Sequence, residues 1–325
     1  MHITALAGGI GGARFVRGLR AHCEDTYPGA QITVIGNTGD DIWVHGLRVC
    51  PDLDTVMYTL GDGIDPERGW GRKDETFHAK EELAAYGVEP TWFGLGDRDI
   101  GTHLIRTTSL NAGYPLSEVT AALCERWRPG VRLLPMTDDR AETHVVVDGP
   151  DGTQVALHFQ EWWIRHRAAL PAHRFVIVGI DDAAPAPGVI EAIREADVIV
   201  LPPSNPIVSI GTIIAVPGIR QAIQQTSAPV VGVSPIISGA PVRGMADACL
   251  RAEGIETSAR AVAEHYGARG SGGVLDAWLV DTSDADAVPH IQALGIACAA
   301  VPLFMTDDRA TASMAAAAFE LITRV

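Results

Sequence analysis

Short apolar runs alternate with helix-like stretches at both ends of this 325-residue chain, and that rhythm limits the folds open to it. Residues 3–7 form one apolar run, 13–19 read as a helix, and 32–35 form a second apolar run. The pattern returns late in the chain. Residues 175–179, 198–201, 230–233, 275–280 and 297–301 read as strands, with helices predicted over 188–195, 217–225, 245–252, 259–266 and 310–322. Apolar strands separated by helices are covered on both faces, which makes a mostly parallel, doubly wound, Rossmann-like α/β sheet. The core is assigned to residues 1–60 and 174–325.

The texture changes between residues 61 and 173, which read as a helical, aromatic-rich insertion. Glycines and charge surround Trp70 and Trp92, and Trp162-Trp163 close the stretch. Helices are predicted over 77–86 and 117–127 and a strand over 131–134. Residues 143–147 and 154–159 alternate as strands about the turn Asp148-Gly149-Pro150-Asp151-Gly152. Met-Thr-Asp-Asp-Arg-Ala occurs at 136–141 and again at 305–310, and helix capping by Thr or Asp explains both copies.

Forty acids against 25 bases give a net charge of −15, and no run of Lys and Arg offsets it. Nucleic acids and anionic membranes both need clustered bases, so neither is an expected partner. A site for anionic substrates must then make its positive potential locally. The five cysteines are far apart and include no CxxC, which suits a reducing cytosol better than a disulfide or zinc framework. The N-terminus has no basic n-region, so no signal peptide is expected. No apolar stretch reaches the eighteen or so residues of a membrane span; 206–219 comes nearest and is interrupted by Gly211 and Pro217.

Gly8-Gly9-Ile10-Gly11-Gly12 follows the first strand and opens the first helix, an arrangement that offers backbone N–H groups to a phosphate. It lacks the Gly-Lys-Ser/Thr of a Walker loop. Gly9 and Gly11 match GxGxxG, but Arg14 stands at the third glycine, and the second strand ends at Asn37 with no acid for a ribose. NAD is disfavoured; a mononucleotide or another phosphate ligand stays open.

After the second strand, Asn37-Thr38-Gly39 turns the chain into two acidic pairs, Asp40-Asp41 and Asp52/Asp54. Carboxylates are hard oxygen ligands, and Mg²⁺ is commonly held by one or two of them plus substrate phosphates. Read as an extended segment, Asp52 and Asp54 face the same side, so spacing does not choose between them. Pro203-Ser204-Asn205-Pro206 and Ser234-Pro235-Ile236-Ile237 each sit past a predicted strand, where doubly wound sheets bind ligands. His45, His103, His144 and His158 lie in no metal-ligand spacing and read as hydrogen-bonded fold residues.

Taken together, Ala7 to Phe15, Asn37 to Asp41, Pro51 to Thr55, Leu95-Gly96-Asp97-Arg98-Asp99, His158 to Trp163, Pro203 to Pro206 and Ser234 to Ile237 resemble one family. It is the 2-phospho-L-lactate transferase family of coenzyme F-420 biosynthesis, and the seven blocks come in family order. The resemblance implies a cytoplasmic homodimeric enzyme with a Rossmann-like core. It would join Fo, a deazaflavin alcohol, to the phosphoryl group of a guanosine-diphospho-activated three-carbon acid, releasing GMP. Asp40 and Asp54 would hold Mg²⁺ and carry the chemistry. Gly9, Gly11, Gly12, Asn37, Ser204 and Asn205 would line the guanosine nucleotide. Asp54, Arg98 and Thr102 would lie near Fo, with the insertion walling the deazaflavin. The glycine loop is similar to the actinobacterial branch, which implies phosphoenolpyruvate rather than 2-phospholactate as the group transferred.

Phosphoryl transfer asks mainly for positioning and charge neutralisation, which a glycine loop, an acid cluster and an Arg can supply. Two other readings stand beside it. A non-enzymatic nucleotide-sugar binder needs neither Asp pair, and an NAD-dependent dehydrogenase needs the missing ribose-binding acid.

Overall fold

The computed structural model of the chain describes residues 1–323. It begins with β1 (His2–Ala7), α1 (Gly9–Thr26) and β2 (Gln31–Gly36). A hairpin of β3 (Ile42–Val44) and β4 (Leu47–Val49) leads into α2 (Pro51–Leu60), α3 (His78–Ala85), α4 (Asp97–Asn111) and α5 (Leu116–Trp127). The strands β5 (Arg132–Pro135), β6 (Glu142–Asp148), β7 (Gln154–His158) and β8 (Ala172–Val178) follow. Then come β9 (Val198–Leu201), β10 (Val230–Val233), the small hairpin β11 (Ile236–Ile237) and β12 (Ala240–Pro241), β13 (Ala277–Val280) and β14 (Ala297–Ala300). Asp308–Ile322 is the closing helix.

Seven strands pair in parallel in the order β14-β13-β10-β9-β1-β2-β5. Successive side chains leave a strand on opposite faces. Ile3, Ala5 and Ala7 therefore pack with Phe15 and Val16 of α1, while Leu6 joins Ile199 and Leu201 under the other layer of helices. Fully burying a large apolar side chain contributes about 1.5–3 kcal/mol, so layers this continuous hold the sheet.

Two expectations change. Residues 175–179 were expected in the core sheet, but β8 pairs antiparallel with β6 in a separate sheet of order β7-β6-β8. Its side chains alternate between half-buried and exposed, as in a sheet solvated on one face. Conversely, β5 lies inside the 61–173 span yet forms the edge of the main sheet, paired with β2. Of the repeated hexapeptide, Asp307 caps the closing helix by accepting from the Ala310 N–H at 2.7 Å. In the other copy, Asp138 accepts from the Ser117 N–H at the start of α5 at 2.6 Å.

From β1 the chain moves outward through β2 and β5 on one side and through β9 to β14 on the other. The order thus reverses between β1 and β9, where ligands collect in such sheets. The loops after these two strands touch. A Cβ at Gly11 would meet the Pro203 carbonyl at 2.4 Å, and one at Gly12 would meet Ser204 Oγ at 2.5 Å. Glycine is required there because the two strand-end loops are pressed together.

Candidate active site

A cleft of about 920 Å³ opens over this reversal point. One wall is the glycine loop with Pro203, Ser204 and Asn205; the other comes from α2, α4 and the loops between them. Ser204, expected to face a nucleotide, lines the cleft and also braces the loop. Its hydroxyl donates to the Gly8 carbonyl at 2.8 Å and accepts from the Gly8 N–H at 3.2 Å. Asn205 caps the helical turn Pro206–Gly211, with Oδ1 accepting from the N–H groups of Ile207 and Val208. Gly9 and Gly11 line the cleft, whereas Gly12 is packed beneath them.

The acidic stretch is not extended. Pro51 begins α2 at a position that needs no N–H, so Asp52 and Asp54 lie in the first helical turn. Two residues along a helix are about 200° apart, and the carboxylates part accordingly. Asp54 takes Arg106 of α4 on both oxygens, with Nη1 at 3.0 Å from Oδ2. Asp52 turns to the glycine loop: a Cβ on Gly8 would stand 2.5 Å from its Oδ2. Asp41 is fully buried and paired with Arg48 at 2.9 Å.

Asn37 was expected to contact the nucleotide. It is fully buried and its side chain is committed elsewhere. Nδ2 donates to Asp52 Oδ2 at 2.9 Å, Asp40 Oδ1 at 3.3 Å and the Val208 carbonyl at 3.2 Å, while Oδ1 accepts from the Gly39 N–H. One amide thus holds Asp40 and Asp52 side by side. Gln160 adds a donor to Asp40 Oδ2 at 3.0 Å. Burial, then Asp52, then Asp41 push Asp40 well above the usual carboxylate range. Burial pushes Asp52 up to about 6, against hydrogen bonds from Asn37 and Gly9 that pull it down. Neither has an Arg or Lys ion pair among the described residues, unlike Asp41 and Asp54. Two adjacent buried carboxylates with no cation paired directly to them, beside a glycine loop at a helix start, fit a hard divalent cation. No group of three or more His, Cys, Asp or Glu among the described residues is placed to hold a metal, so phosphate and water would complete the shell.

The second wall is aromatic. Arg68 is stacked between Trp70 at 5.3 Å and Phe77 at 5.2 Å, and Trp92, Phe93 and Trp163 also line the cleft. Trp162 instead is fully buried, its indole N–H donating to the Leu170 carbonyl at 2.8 Å. Of the three residues expected near Fo, Asp54 lines the cleft, but Arg98 is exposed and its side chain lies outside the cleft lining; its N–H donates to Glu75 and its carbonyl accepts from Arg72. Thr102 is buried behind the wall. Helical phase explains the difference, because the next residues, Asp99 and His103, are four apart on the face of α4 that lines the cleft.

A family model described as 2-phospho-L-lactate transferase CofD matches residues 3–295. The chain belongs to that family. The phosphoenolpyruvate transferase of Streptomyces coelicolor is 66% identical over 325 residues, covering 100% of this chain and 99% of its own length. That of Mycobacterium avium is 58% identical over 337 residues, covering 99% and 98%. A Bacillus halodurans protein of the UPF0052 family shares the fold, with a TM-score of 0.61 at 21% identity over 97% of this chain and 98% of its own. The chain is an enzyme of the transferase class.

In this transferase, several site residues have no sequence signal of their own. Arg106 lies 52 positions from Asp54, and nothing local marks it as the partner. Gln160 sits in the conspicuous His-Phe-Gln-Glu-Trp-Trp block, yet its role depends on the turn that brings it to Asp40. His158 in that block is a fold histidine, as expected. Its Nδ1 accepts from the Gln160 N–H, which leaves Nε2–H to donate to the Asp41 carbonyl at 3.1 Å. His103 is likewise buried and hydrogen-bonded, its Nδ1 accepting from Arg106 at 3.1 Å, and it also lines the cleft.

Proposed function

We propose that this transferase moves a phosphoenolpyruvyl group from its guanosine-diphospho-activated form onto the hydroxyl of Fo, releasing GMP, in coenzyme F-420 biosynthesis. The observation that carries the reading is the cleft's division. A cation-ready acid pair and a glycine loop stand on one side, and an aromatic wall stands on the other. The family membership and the names of its relatives support the chemistry. Because those relatives are phosphoenolpyruvate transferases, 2-phospholactate is the second-choice donor.

The hydroxyl oxygen of Fo bonds to the phosphorus that bears the enolpyruvyl group, the hydroxyl gives up its proton, and the bond from that phosphorus to GMP breaks. The protein supplies position and charge more than covalent chemistry. Gly9, Gly11 and Ser204 approach the phosphates, with Arg14 exposed at the start of α1 on the cleft rim. Mg²⁺, when bound, neutralises the diphosphate and steadies departing GMP, which is worth several kcal/mol. Likeness and the pairing with Asp52 through Asn37 both favour Asp40 as one ligand. For the second, likeness favours Asp54, and the shared Asn37 amide favours Asp52; we adopt Asp52 and leave Asp54 with the acceptor. The proposal includes a cytoplasmic homodimer, as the resemblance implies.

The test is to incubate the purified protein with Fo, Mg²⁺ and guanosine-activated phosphoenolpyruvate, and to follow GMP and the Fo adduct by chromatography. Equal amounts of both support the reading. Nucleotide binding with no GMP above the protein-free control would make the protein a binder instead.

A further inference from the structure

Four acidic residues line the cleft: Asp40, Asp52, Asp54 and Asp99. The first two share the Asn37 amide beside the glycine loop, and the third is tied to Arg106. Asp99 differs from all of them, because its partners are a phenol and an imidazole. Tyr58 donates its hydroxyl to Asp99 Oδ1 at 2.6 Å. His103 Nε2 lies 3.5 Å from Asp99 Oδ2, a long contact, and has no closer partner although His103 is 1% exposed.

The tautomer of His103 follows from its other nitrogen. Arg106 Nη1 is 3.1 Å from His103 Nδ1, and a guanidinium has no acceptor, so Nδ1 must accept. The proton is therefore on Nε2, aimed at Asp99. Tyr58 and His103, from two different helices, both present hydrogen to one carboxylate. An ionised carboxyl has about four acceptor positions; the Tyr58 hydroxyl takes one, and the His103 N–H faces another from 3.5 Å, too far for a hydrogen bond. The remaining capacity belongs to a group that lines the cleft, next to Asp54 and Thr55.

A carboxylate held this way is an acceptor for hydroxyl groups, since O–H···O⁻ bonds are short and strong. It is unsuited to phosphate, which it repels. We propose that Asp99 receives the inner hydroxyls of the acceptor's acyclic polyol chain, with Tyr58 as the positioning residue that fixes its carboxylate and the His103 N–H turned toward it. The proposal rests on the reading that Fo is the acceptor. It adds the residues that tell a polyol-bearing deazaflavin from one with a plain chain. The polyol is gripped between its ring, on the aromatic wall, and its terminal hydroxyl, which reacts.

The experiment compares two acceptors by calorimetry: Fo, and a deazaflavin whose side chain keeps the terminal hydroxyl but lacks the inner ones. The unmodified protein should bind Fo tighter on the order of tenfold, because the plain chain leaves Asp99 without its hydroxyl partners. Asp99→Asn should lose most of that preference, with the KM for the guanosine-activated donor unchanged. Tyr58→Phe should show a smaller loss in the same direction. Equal binding of the two acceptors by the unmodified protein overturns the proposal without any variant. So does an Asp99→Asn protein that keeps the full preference. GMP release without chain preference removes the polyol subsite alone, whereas failure of the unmodified protein to bind Fo at all removes the function as well.

Discussion

Asp52 and Asp54 are two residues apart in the first turn of one helix, and they serve different halves of the cleft. Asp52 accepts from Asn37 and faces the glycine loop, while Asp54 is clasped by Arg106. The start of α2 is therefore a partition. It sends one carboxylate toward the glycine loop beside Asp40 and the other toward Arg106 and His103 of α4.

This partition predicts different losses from isosteric changes. Asp40→Asn and Asp52→Asn should each lower kcat on the order of a hundredfold at fixed Mg²⁺, since a few kcal/mol of charge neutralisation is lost. Nucleotide affinity should stop responding to Mg²⁺ in both. Asp54→Asn should keep that response and weaken Fo binding instead. Steady-state kinetics across a Mg²⁺ titration checks this; an Asp54→Asn protein that alone ignores Mg²⁺ would reverse the assignment.

The same pair sets a pH dependence for the metal-free protein. An unfolded Asp has a pKa near 3.9, but the fold pushes Asp52 up to about 6 by burial, and burial with the neighbouring Asp52 and Asp41 pushes Asp40 well above the ordinary value. From about pH 4 to 6 the folded chain binds more protons than the unfolded one, so these groups raise stability as pH falls through that window. Metal-free protein should show this rise in melting temperature, and the Asp40→Asn, Asp52→Asn double variant should show a flatter profile. Added Mg²⁺ should stabilise more at pH 7 than at pH 5. An unchanged profile in the double variant would mean that other groups set it.

Arg106 is 1% exposed and closes on both oxygens of a buried carboxylate. Removing one member of such a pair leaves an uncompensated charge and costs roughly 3–5 kcal/mol. Arg106→Leu should lose about that much in denaturant unfolding, and Arg106→Leu with Asp54→Leu should recover part of it. A single variant as stable as the parent would show that the pair contributes nothing to the fold.

The donor preference rests on the relatives. Guanosine-activated phosphoenolpyruvate should turn over faster than the 2-phospholactate form. The margin is expected to be modest, because small differences in a pocket are worth about 1–3 kcal/mol. Competition between the two donors in one reaction measures it, and a preference for 2-phospholactate would overturn the assignment.

Much of this architecture was legible in the chain. Buried parallel strands announce themselves as apolar runs, and the glycine loop and Ser204-Asn205 segment lie where strand ends place them. What misled was local. Residues 175–179 are apolar enough for a core strand, and only pairing with β6 takes them elsewhere. Asp52 and Asp54 looked extended, although Pro51 at a helix start separates them by helical phase. The same phase turns Asp99 and His103, not Arg98 and Thr102, to the cleft. Asn37 was found as a site residue, but its role as a strut for two carboxylates depends on residues 15 and 171 positions away.

The most direct test of the partition is the position of the metal itself. Crystals grown with GDP and Mn²⁺ in place of Mg²⁺ would give an anomalous peak at the cation. The account predicts that peak in contact with carboxylate oxygens of both Asp40 and Asp52, at roughly 2.0–2.3 Å, beside the glycine loop. A peak coordinated by Asp54 and clear of Asp52 would contradict it.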